Sequence, residues 1–166
     1  MAMLRNGKDV KATTITGTDE VKDRHLALSP EQLGPGWRTI VPDNVSISDE
    51  LRPAYKEIKA YSKEEFDERR AQLLIILFEF EDKAKALQAF QKVGDGLESD
   101  IPKRPEIGEG SVIYELDMRP MVVMKIFSSH SGKWVAIFTL WLFKDLDLDD
   151  GWVTNVMRSQ IQRVHP

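Results

Sequence analysis

The chain has 166 residues, 42% hydrophobic and 30% charged, which is the size and balance of one domain with one core and too little for two independent ones. A net charge of -4 and a pI near 5.5 give no broad basic field for phosphates, so nucleic acid is not an expected partner. The absence of cysteine excludes disulfides, thiol catalysis and thiolate metal sites, and the longest apolar stretches fall short of the roughly 20 residues of a membrane-crossing helix, so no transmembrane span is expected.

Residues 1–22 are polar, threonine-rich and aperiodic, and are expected to form a flexible arm ahead of a single domain over 23–166. The arm lacks the apolar centre of a secretory signal. The compartment is therefore read as extracytoplasmic if a leader has been removed and cytoplasmic otherwise. At Ser29-Pro30-Glu31-Gln32 a helix start is cut short by Gly34-Pro35-Gly36, which predicts one helical turn and then a tight turn. The β-formers Trp37 to Val41 predict a strand that stops at Pro42. The stretch 54–61 fits a helix face and a strand equally well. Ser62-Lys63-Glu64-Glu65 matches a capping box and predicts a short surface helix over 62–69.

The run AQLLIILFEFE predicts a strand over 71–81, apolar at both parities and so covered on both faces. Asp82 caps a predicted helix over 82–93 whose Ala84, Leu87, Phe90 and Val93 share one stripe. Residues 94–110, rich in glycine and proline, predict a loop. Three strands follow, over 111–117, 121–128 and 133–143, the last two joined by an expected turn at Ser129-His130-Ser131-Gly132. A final helix is predicted over 150–164, with Val153, Val156, Met157, Ile161 and Val164 on one face. This order of elements predicts an α+β fold, an antiparallel sheet packed with helices.

Candidate chemistry is sparse. Asp145, Asp147 and Asp149 alternate as ligands of a hard cation would, but an EF-hand loop starting at Asp145 would need glycine where Asp150 stands and an acid where Val156 stands. A cap for the last helix explains the same acids. Glu79 and Glu81, with Glu115 if the sheet order brings it near, are candidates for paired acid and base; their place at a strand end beside a helix start favours solvated surface acids instead. His25, His130 and His165 have no metal-ligand spacing, and Ser128, Ser129 and Ser131 around His130 read as turn residues rather than as a nucleophile and base. No cofactor is implied.

Apolar excess carries more information. In WVAIFTLWLF, one parity holds Trp134, Ala136, Phe138, Leu140 and Leu142, and the other holds Val135, Ile137, Thr139, Trp141 and Phe143. Both faces need cover, from the chain itself, a second copy in a homo-oligomer, a protein partner or a small apolar ligand. Trp37, Trp134, Trp141 and Phe143 are the candidate binding residues, with core packing as the competing role for each.

Leu33-Gly34-Pro35-Gly36-Trp37, Phe78-Glu79-Phe80, the Ala84/Ala86/Phe90 helix, Ile107-Gly108-Glu109-Gly110, and the meander before Gln160-Ile161-Gln162-Arg163 together resemble small exported lipoprotein-type domains with the PsbP-like α/β/α fold, over residues 26–164. The resemblance implies an accessory or binding module exported behind a leader, and no catalytic residues; the lipidated cysteine of such proteins is missing here. The expected function is thus a non-enzymatic ligand- or protein-binding domain using an apolar sheet face or the 94–110 loop. The alternative is a metal-assisted hydrolase built on the acids of 145–150.

Overall fold

A computed structural model describes residues 12–15, 25–97, 101–143, 146 and 148–165. In chain order the elements are β1 (Ala12–Ile15), α1 (Pro30–Leu33), β2 (Trp37–Ile40), β3 (Val45–Ser48), a 3-10 turn (Arg52–Ala54), β4 (Tyr55–Glu65), β5 (Glu68–Glu79), α2 (Lys83–Gln91), β6 (Gly110–Met118), β7 (Val122–Ser131), β8 (Trp134–Leu142) and α3 (Asp150–Val164). Six strands form one antiparallel sheet in the order β2-β4-β5-β8-β7-β6, and β1 pairs with β3 in a separate ribbon. The fold is α+β, as the pattern of elements predicts.

The two most apolar strands, β5 and β8, lie side by side at the centre. Their register sets Leu73, Ile75 and Leu77 beside Leu140, Phe138 and Ala136 on one face, and Leu74, Ile76 and Phe78 beside Thr139, Ile137 and Val135 on the other. Burying both faces requires a layer on each. On the first, α3 contributes Val153, Val156, Met157 and Ile161, and the segment before α1 adds Ala27 and Leu28. Trp37 stacks on Trp152 there with ring centroids 5.5 Å apart. The second face is covered in pieces: Ala86, Phe90 and Val93 of the α2 region over one part, Val45 and Ile47 of β3 and Ala54 of the 3-10 turn over another.

Residues 25–28 have no ladder partner, so side chains satisfy their backbone. Buried Glu57 accepts from Leu26 N at 2.6 Å and Ala27 N at 2.9 Å. Gln160 of α3 accepts from Leu28 N at 3.0 Å and donates to Leu26 O at 2.9 Å, while the Tyr61 hydroxyl donates to Leu28 O at 2.5 Å. Burial, reinforced by the Glu57 carboxylate, raises the Tyr61 phenol above its usual value, which keeps its proton in place for that bond.

Several elements differ from the sequence expectation. No helix spans 62–69: β4 continues through Glu65, and β5 starts at Glu68, with Phe66 and Asp67 turning at φ 52° and 60°. Ser62 sits in the sheet between Arg38 and Gln72, and ladder bonds on both sides outweigh the roughly 1 kcal/mol of one helix cap. The undecided stretch 54–61 is strand from Tyr55 onward. The turn expected at 129–132 is tighter and later: β7 runs to Ser131 and the chain reverses at Gly132-Lys133, where Gly132 has φ 56°. Within the expected arm, Ala12–Ile15 pair with β3; residues 1–11 and 16–22 lie outside the described residues.

Two substitutions test this layering in urea denaturation. Ile75→Ala opens a hole in the fully buried first-face core and is expected to cost about 2–5 kcal/mol. Gln160→Ala strands a buried donor and acceptor of residues 26–28 and is expected to cost about 1–3 kcal/mol; a loss below about 0.5 kcal/mol would contradict the clamp.

Candidate functional site

The piecewise cover of the second face leaves a cavity of about 660 Å3. Its floor is the sheet itself, with Phe78 from β5, Val135, Ile137 and Thr139 from β8, and Ile126 from β7. One wall is α2 and the chain leaving it, through Ala89, Val93 and Leu97; the opposite wall is Leu51, Pro53 and Ala54 around the 3-10 turn. The helix is held over β7 and β8 by Ala86 and Phe90. Gly94, at φ 89°, passes so close to Tyr114 that a Cβ would lie only 2.4 Å from a ring carbon. Only glycine lets the chain follow this path along the cavity wall.

The rim is charged. Lys56 pairs with Glu79 at 3.4 Å, Lys92 with Glu50 at 3.3 Å, and Lys85 with Glu81. Lys133 and Asp95 also line the cavity and have no ion-pair partner among the described residues. Thr139 is 3% exposed, and no protein group among the described residues hydrogen-bonds its hydroxyl. A concave, mostly apolar space of this volume with a few polar groups around it has the form of a small-molecule site.

The candidate binding aromatics lie elsewhere. Trp37 is buried on the first face against Trp152, and Trp134 packs on that same cluster. Trp141 packs at the margin of the second-face cluster, and Phe143 follows β8, its amide bonded to Arg70 O at 2.9 Å. None of the four lines the cavity. The sequence reading missed Lys133, Thr139 and Ala89; the one hydroxyl inside the apolar run of β8 was the available signal.

Among the acids, Asp149 caps α3, accepting from Trp152 N at 2.9 Å; Asp145 and Asp147 lie outside the described residues. No group of three His, Asp or Glu side chains that could hold a metal occurs among the described residues. Glu79 and Glu81 are both on the cavity rim and each is paired with lysine, whereas Glu115 lies on β6, three strands away, with Lys125 at 3.7 Å. Comparison of the chain with family models, with curated proteins and with solved structures gives no match. No helix among the described residues is long and apolar enough to cross a membrane.

His130 is buried in β7 rather than placed in a turn. Its ring lies 4.6 Å from Phe90, its Nδ1 has no hydrogen-bond partner, and Glu109 Oε2 is 4.0 Å away. Ser128 donates instead to Ala136 O at 2.8 Å, and Ser131 bonds His165 at 2.7 Å. No nucleophile-base pair forms at His130. Burial lowers the His130 pKa; Glu109 pulls it partly back up and Lys83 pushes it down. Below the ordinary histidine value of about 6.5, the unfolded chain therefore binds a proton that the folded chain resists, and stability falls as pH drops through that window. Urea midpoints measured from pH 8 down to 5 are expected to decline below about pH 6.5, with a shallower decline in His130→Gln; an unchanged slope in that variant would assign the effect to other groups.

Proposed function

We propose that the chain is a non-enzymatic ligand-binding domain that holds a small, largely apolar molecule in the cavity between α2 and the 3-10 turn. The observation that carries this reading is the cavity of about 660 Å3 floored by Phe78, Ile126, Val135 and Ile137, a volume inside the roughly 300–1,000 Å3 range of small-molecule sites. It joins the two features that the sequence singled out, since an apolar sheet face forms the floor and Gly94 to Leu97, the start of the 94–110 loop, form part of a wall. Water held against such a floor is released when an apolar ligand enters, and that release drives binding. A bound small molecule is preferred over a second copy or a protein partner because the apolar floor is recessed behind a charged rim. The likeness to exported PsbP-like accessory domains is in keeping with this role. Hydrolysis finds less support, because Glu50, Glu79 and Glu81 on the cavity rim are each paired with a lysine.

The test is titration with the neutral polarity-sensitive dye N-phenylnaphthylamine. Native protein is expected to bind it at a single site. Ala89 lines the cavity from α2 without being fully buried, so Ala89→Trp fills the space while leaving the core intact. That variant is expected to weaken dye binding by about ten-fold or more, equivalent to about 1.4 kcal/mol, with little change in melting temperature. No dye binding by native protein, or equal binding by the variant, would contradict the proposal.

A further inference from the structure

We infer that the ligand is an elongated apolar carboxylate with a second oxygen, a hydroxyl or carbonyl, toward its far end; this rests on the cavity being the binding site. Two independent groups set the ends. Lys133, in the turn just before β8, lines the cavity at the end where the floor strand bearing Val135, Ile137 and Thr139 begins. It is six positions from Thr139, a span of about 20 Å at strand rise. A volume of about 660 Å3 drawn out along that span suits an extended chain.

The charge pattern orients that chain. At the Lys133 end each nearby acid is already engaged: Glu79 by Lys56, Glu81 by Lys85, and Glu109 by Lys83. Asp82 is occupied as the cap of α2, accepting from Lys85 N at 2.8 Å. Lys133 alone among the rim lysines has no acid in contact among the described residues. The N-terminal end of α2 begins close by, since Phe80 N donates to Lys133 O at 2.8 Å three residues before the helix, and its dipole adds to the attraction for an anion. Asp95 lies beyond the opposite end of α2, about 14 Å along the axis, and would repel a carboxylate there. The carboxylate therefore sits at Lys133 and the tail runs over Val135 and Ile137. At the far end stands Thr139, 3% exposed, its hydroxyl unpartnered in an apolar floor. Open to the cavity, that hydroxyl can exchange a hydrogen bond with an oxygen on the ligand.

Isothermal titration with ω-hydroxydodecanoate, kept below its micellar concentration, tests the assignment in native protein and two variants. Lys133→Met removes the charge at an exposed position and is expected to weaken binding about ten-fold; Thr139→Val keeps the side-chain shape and is expected to weaken it about five-fold, the difference between a charged and a neutral hydrogen bond. Dye binding serves as the control for an intact cavity in both. Unchanged affinity for ω-hydroxydodecanoate in either variant, with dye binding retained, overturns this ligand class and leaves the cavity reading standing. Loss of dye binding by native protein overturns both.

Discussion

The pairing of β5 with β8 is the constraint from which the rest follows. Each strand is apolar at both parities, and their register stacks the apolar residues in matching rows, Ile75 with Phe138 on one side and Ile76 with Ile137 on the other. A strand pair of this kind cannot leave a face in water, so the chain must build a layer on each side. On the first face the solution is continuous: α3 lies across it, and residues 26–33 complete the cover through hydrogen bonds from Glu57, Tyr61 and Gln160. Those bonds join the far ends of the chain, because Gln160 belongs to the last helix and Leu26 to the first described segment of the sheet domain.

On the second face the solution is discontinuous, and the site grows out of that difference. A nine-residue helix is too short to span six strands, so β3 and the 3-10 turn take the remaining width. Between them the floor stays open to solvent-sized space, and the long lysine and glutamate side chains that edge it lie where a ligand would enter. The same residues that make the sheet stable thus define an apolar cavity, and the polarity of its rim gives that cavity two distinguishable ends.

Much of the architecture was legible in the chain. Apolar runs marked β5 and β8, helical periodicity marked α2 and α3, and Asp82 and Asp149 proved to be the caps that their positions suggested. The hairpin at Phe66-Asp67 was not legible, because Ser62-Lys63-Glu64-Glu65 is locally a good helix start and its true partners, Arg38 and Gln72, come from strands on either side. Ser128 to Ser131 misled in the opposite way: small polar residues suggest a turn, yet here they are buried in β7. The cavity was half legible. Alternation in β8 revealed a second apolar face, but which part of it stays uncovered depends on the lengths and placement of α2 and the 3-10 turn, which no local pattern encodes. Large aromatics drew attention for the same reason that they ended up as packing: Trp37 is most useful to the fold stacked on Trp152.

The two faces of the sheet are unlike, one closed and one left with an open cavity. Methyl-resolved NMR during titration with an apolar alcohol such as dodecanol measures this directly. The isoleucine methyls of Ile126 and Ile137 in the cavity floor are expected to shift with saturation, while those of Ile75 and Ile113, in the first-face core, stay in place. Shifts centred on Ile75 and Ile113, or no shift at Ile137 while the alcohol is bound, would contradict it.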